Sequence, residues 1–160
     1  MPIQNPYGAD LGDREPIETM RESAARFRSL LDGWTPAQFE RTYAPGKWTA
    51  RQILIHLAQT ELALGTRARM ALSTPEYTSQ PFNQDAWMAH EPSPTGREAL
   101  DALVALNALN RAFFQALSPS DRNTPFTHPE YGALSVDWLI NQMAGHHRHH
   151  LAQLEAIAKL

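Results

Sequence analysis

Four of the seven histidines in this 160-residue chain fall within five positions, in the run His146-His147-Arg148-His149-His150. Helical phase separates them. At about 100° per residue, His150 falls about 40° from His146, close to Leu139, Met143 and Ile157 on the apolar stripe. His149 lies to one side and His147 further round. Only His146 and His150 are spaced i, i+4, which sets two imidazoles side by side where they can share one cation. Gln142 and Gln153 flank the pair within about 40° and are candidates to orient a ring N–H or a bound substrate. A third histidine, His56, lies on the apolar stripe of an earlier helical segment with Ile53 and Thr60.

Three neutral imidazoles with an open position form the usual catalytic donor set for zinc and its neighbours. In helix bundles such sites are built from side chains on facing helices. Zinc or nickel is expected first, and manganese or iron after them. Taken singly, the features have plainer readings. An inward histidine such as His56 can be a hydrogen-bonded core residue, and a histidine-rich tract can be solvated or bind metal loosely. Glu61 lies about 140° from His56, off the stripe. It is read as a solvated charge, or as an added ligand, base or supporting group if the helix bends. His90 and His128 are read as surface or supporting groups in loops. Trp48, Trp87 and Trp138 are read as core or pocket wall.

The elements that must position these groups are four helical segments separated by Pro/Gly-rich joints. The first runs from Pro16 to about Gly33, with Ile17, Met20, Ala24, Phe27, Leu30 and Leu31 inward. A short turn follows at Thr35–Phe39. The second helix is capped by Thr49 and Gln52 and runs to about Leu72. A long joint, 73–94, holds one turn near Gln84–Ala89. Thr95 and Glu98 cap the third helix, expected to point Leu100, Leu103, Leu106, Leu109 and Phe113 inward. Residues 119–134 form an irregular loop with a short hairpin near Pro129–Gly132. Ser135 caps the last helix, which runs to about Ala158. The expectation is an all-α four-helix bundle forming one domain over 1–160, with a long loop between the second and third helices and an irregular loop before the fourth.

Composition narrows the chemistry. With no cysteine, disulfides, thiolate metal sites, iron–sulfur clusters and a cysteine nucleophile are excluded. Lys and Arg number 14 against 17 Asp and Glu, which is no footprint for a nucleic-acid binder. The N-terminal stretch lacks the charged and apolar regions of a signal peptide, and no apolar run approaches a membrane span, so a cytoplasmic location is expected.

Three segments carry a family resemblance. Ala44-Pro45-Gly46-Lys47-Trp48-Thr49-Ala50-Arg51-Gln52, followed by Ile55-His56-Leu57-Ala58, resembles the start of the second helix in the DinB/YfiT-like superfamily. His146 through Gln153 resembles that family's last-helix segment, and Thr127-His128-Pro129-Glu130-Tyr131-Gly132 resembles the loop of its YfiT branch. Pro81-Phe82 through Trp87 resembles that branch's middle joint, and Asn5-Pro6-Tyr7 its N-terminal extension. The resemblance implies a divalent metal on His56, His146 and His150. It also implies a metal-dependent hydrolase or a low-molecular-weight-thiol S-transferase of the bacillithiol or mycothiol type, with a small-molecule substrate and a homodimeric state. Gln59-Thr60-Glu61 departs from relatives that carry other polar or histidine residues there, so substrate identity does not carry over. The alternative is a non-catalytic metal-binding bundle serving as a stress-response or binding module.

Overall fold

A computed structural model describes residues 3–160; Met1 and Pro2, part of the stretch read for leader character, lie outside the described residues. Ten short and long elements follow in order: α1 (Gly8–Leu11), α2 (Pro16–Leu31), α3 (Pro36–Phe39), α4 (Ala50–Ser73), α5 (Gln84–His90), α6 (Gly96–Gln115), α7 (Pro119–Arg122), β1 (Pro125–His128), β2 (Gly132–Ser135) and α8 (Val136–Ala158). The long helices α2, α4, α6 and α8 make a four-helix bundle in which α4 packs on α6 and α8, and α2 packs on the same two. Among the described residues, no helix is long and apolar enough to cross a membrane.

The helix starts follow from local chemistry. Thr49 accepts from the Gln52 backbone N–H while the Gln52 side chain returns to the Thr49 N–H, and Thr95 with Glu98 repeats the arrangement. Each box satisfies orphan donors that a helix N-terminus cannot pair internally. Ser135 caps α8 through the Trp138 N–H. The hairpin before α8 pairs Phe126 with Leu134 and buries both. Backbone bonds from Ser79 to Thr127 and from Thr127 to Tyr77 tie it to the joint after α4.

One inward position of the third helix is corrected. Leu109 is 61% exposed, and Asn107 and Asn110 are buried instead. The interior face of α6 turns toward a buried carboxylate, described below, which needs amide donors rather than leucine.

Two glycines permit close approaches in this frame. A Cβ on Gly145 would stand 2.4 Å from the Tyr7 carbonyl oxygen, so only glycine lets the N-terminal segment lie on α8. A Cβ on Gly65 would stand 2.4 Å from Asn110 Oδ1. Because the atom opposing Gly145 is backbone, Gly145→Ala should cost about 1–3 kcal/mol. It should also free the N-terminal segment, seen as faster proteolysis before Pro16 with far-ultraviolet circular dichroism unchanged. Equal cleavage rates would contradict this packing.

Candidate metal centre

The three histidines singled out by phase come together. His56 on α4 and His146 and His150 on α8 are all buried, and one donor atom from each lies within 4.8 Å of the others. His56 Nε2 and His150 Nε2 each stand 2.9 Å from His146 Nε2. Around them, Trp48 covers His56 at 4.7 Å between ring centroids, and Tyr7 covers His146 at 4.8 Å.

The positions of the imidazole protons decide what this arrangement can hold. His150 Nδ1 lies 2.7 Å from Gln153 Oε1, an acceptor, so Nδ1 carries the proton and Nε2 presents its lone pair. Burial pushes the His150 pKa down to about 3 and that of His56 down to about 4. Burial, then the neighbouring imidazoles, hold His146 well below the usual value. All three are therefore neutral at pH 7. His146 Nε2 can donate to His150, but that same nitrogen then has no lone pair for His56. No placement of protons gives each of the two 2.9 Å contacts its own hydrogen bond. A cation satisfies both. Two ligands about 2.0–2.1 Å from a zinc-like ion sit roughly 2.9–3.4 Å apart, so the spacing fits a shared divalent metal.

His56 and His146 form one wall of a cavity of about 290 Å³, whose other walls include Tyr7, Thr60, Arg67, Phe82, His128, Tyr131 and Gln142. Gln142 lines the same cavity as His56 and His146. His128 sits in β1 and is 5% exposed, more deeply placed than a loop reading implies. Its Nδ1 accepts from the Glu130 and Tyr131 backbone N–H groups at 3.1 and 3.4 Å, which leaves the proton on Nε2. His128 is held below the usual value by burial and then by the Arg67 charge, so it too is neutral. His90 is exposed on α5.

Glu61 is not solvated. It is 1% exposed, and its carboxylate accepts from His147 Nε2 at 2.8 Å, Asn107 Nδ2 at 3.1 Å and Asn110 Nδ2 at 2.5 Å. It makes no hydrogen bond to His56, His146 or His150 among the described residues. The carboxylate instead locks α4, α6 and α8 together one residue away from the triad. Tyr7 and Arg67 were missed as pocket residues. Arg67 lies about 20° from His56 on the same face of α4, a signal available from helical phase. Tyr7 had none beyond its place in the family's N-terminal extension.

The long helices with inward histidines and a cavity beside them define a four-helix bundle carrying a group that could hold a metal ion. The chain belongs to the DinB superfamily, whose family model matches residues 19–154. It is 28% identical over 123 residues to an Oceanobacillus iheyensis protein named "Putative metal-dependent hydrolase", covering 76% of this chain and 72% of that protein. A Bacillus mycoides protein of the same name is 28% identical over 145 residues, 88% of this chain and 80% of its own. Among solved structures, YfiT from Bacillus subtilis, described as a probable metal-dependent hydrolase with an unusual four-helix bundle topology, superposes with a TM-score of 0.82. The identity is 21%, over 90% of this chain and 84% of YfiT. The mycothiol-dependent maleylpyruvate isomerase superposes with a TM-score of 0.72 at 15% identity, covering 91% of this chain and 62% of its own. At these identities the two structures establish the fold.

The lowered pKa values fix a pH dependence. An imidazole with a depressed folded-state pKa binds its proton more readily in the unfolded chain, so acid favours unfolding. The triad's stability contribution is intact above about 6.5 and is lost as pH falls toward 4 and 3. With chelator present, the Tm should fall steadily between pH 6.5 and 4.5, and His56→Leu/His150→Leu should show a markedly shallower fall. Equal slopes would contradict the assignment.

Proposed function

We propose that this protein is a metal-dependent enzyme that activates a small-molecule nucleophile at a divalent ion held by His56, His146 and His150. The observation that carries this reading is the convergence of the three Nε2 atoms, with His56 and His146 lining a cavity beside them. A closed structural site would lack such a cavity. Zinc or nickel suits imidazole donors, with manganese or iron as further candidates. When bound, such an ion supplies Lewis acidity, lowering the pKa of a water or a thiol.

The chain's own residues do the rest. Gln153 holds the His150 tautomer by accepting the Nδ1 proton. Trp48 and Tyr7 shield the imidazoles from bulk water, which strengthens electrostatic interaction inside the site. His128 offers an Nε2–H donor, and Gln142 an amide, on the cavity wall. Three uncharged ligands would leave the full charge of a bound ion available to a nucleophile. The nucleophile is water in a hydrolase and a low-molecular-weight thiol in an S-transferase. The absence of cysteine from the chain favours neither competition for the metal nor a protein-borne thiol, so a participating thiol belongs to the substrate.

Protein purified without an affinity tag should carry one ion per chain. His56→Ala, His146→Ala and His150→Ala should each lose it while staying folded, and Gln153→Ala should weaken metal affinity by about 10–100-fold. Full retention in any histidine variant removes that residue from the centre.

A further inference from the structure

The cavity wall also carries a cation, Arg67, that the metal reading does not use. Arg67 is only 8% exposed. Among the described residues no carboxylate lies within 4.0 Å of its guanidinium, whereas Arg26, Arg51 and Arg122, all more exposed, pair with Glu155, Glu40 and Asp137. Its Nη2 donates to the Gln80 carbonyl at 2.7 Å, and its guanidinium carbon stands 5.8 Å from the centre of the Phe82 ring. These contacts hold the group in place without neutralising it. A buried charge without a counter-charge is costly. Glu130 shares the cavity wall, yet it stands outside ion-pair distance of Arg67. Beside Arg67 the cavity carries His128, whose proton is fixed on Nε2 by two backbone donors to Nδ1.

We propose that Arg67 and His128 form a carboxylate seat in this cavity, so that the site takes a small organic acid whose reacting end faces the histidine triad. Guanidinium presents parallel N–H groups that match one planar carboxylate. A single cation beside a neutral imidazole and a nearby Glu130 suits a monoanion better than a phosphate dianion. Arg67 lies eleven residues beyond His56 on one face of α4, a rise of about 16 Å between Cα atoms. Helical side chains lean toward the N-terminus, and Arg67 lines the same cavity as His56 and His146. The substrate is therefore an acid with a spacer of several bonds between its carboxylate and its reacting group. This assignment rests on the proposed function only for the identity of the reacting end.

Calorimetric titration of the metal-loaded and the chelated protein with hexanoate, hexanol, inorganic phosphate and 6-mercaptohexanoate tests the seat. Hexanoate should bind about tenfold more tightly than hexanol in both forms, the margin of one charge-assisted hydrogen-bonded pair. Phosphate should bind more weakly than hexanoate. Arg67→Gln should abolish the preference for hexanoate, Arg67→Lys should keep part of it, and His128→Leu should reduce it. If the Arg67 variants fail to fold, the wild type decides, because equal affinity for hexanoate and hexanol in the chelated protein overturns the seat. A preference that survives Arg67→Gln overturns it as well. Failure of the metal reading looks different: the chelated and loaded proteins keep the same carboxylate preference, and 6-mercaptohexanoate gains nothing from loading.

Discussion

Three buried, uncharged imidazoles held with their Nε2 atoms together are the constraint on which the surrounding structure depends. Two contacts of 2.9 Å converge on one nitrogen of His146, and that nitrogen can serve only one of them as a hydrogen bond. A cation placed among the lone pairs would satisfy both contacts at once. Burial keeps the rings from supplying that charge themselves, since it drives His56 and His150 far below neutrality in pKa. Gln153 then turns the His150 lone pair inward by accepting its other proton.

The bundle supports this by fixing helix register. Glu61 on α4 accepts from His147 on α8 and from Asn107 and Asn110 on α6, so three helices share one buried carboxylate. Arg69 and Arg111 complete the cluster by donating to the two asparagine oxygens. A buried ionic cluster of this kind is weak as net stabilisation and strong as a device against slippage, since a shift of one residue leaves its charge unpaired. His147 and His146 are neighbours on α8, so fixing one sets the height of the other opposite His56. Gly65 lets Asn110 reach the cluster, and Gly145 lets the Tyr7 segment close over His146.

Much of this was legible in the chain. Capping boxes and apolar period located the long helices, and the i, i+4 phase of His146 and His150 with Leu139 and Ile157 separated them from the two other histidines of the tract. Glu61 was misplaced because a single apolar stripe assumes one buried face. Helix α4 packs on both α6 and α8, so a position well off the stripe is still interior. Leu109 was misplaced for the complementary reason: the α6 interior includes amides that serve Glu61, which a hydrophobic pattern cannot register. The depth of His128 depends on the hairpin docking to residues 77–79, a long-range pairing with little local signal.

We propose one divalent ion on the three imidazoles, with a position left open to the cavity. X-ray absorption at the metal edge of untagged protein, recorded with and without an added small thiol, tests this most directly. Three histidine nitrogens at about 2.0–2.1 Å plus an exchangeable light-atom ligand are expected, the latter replaced by sulfur near about 2.3 Å when the thiol binds at the open position, or kept but displaceable if water is the native nucleophile. A closed shell of four protein ligands, or a metal content far below one ion per chain, would contradict it.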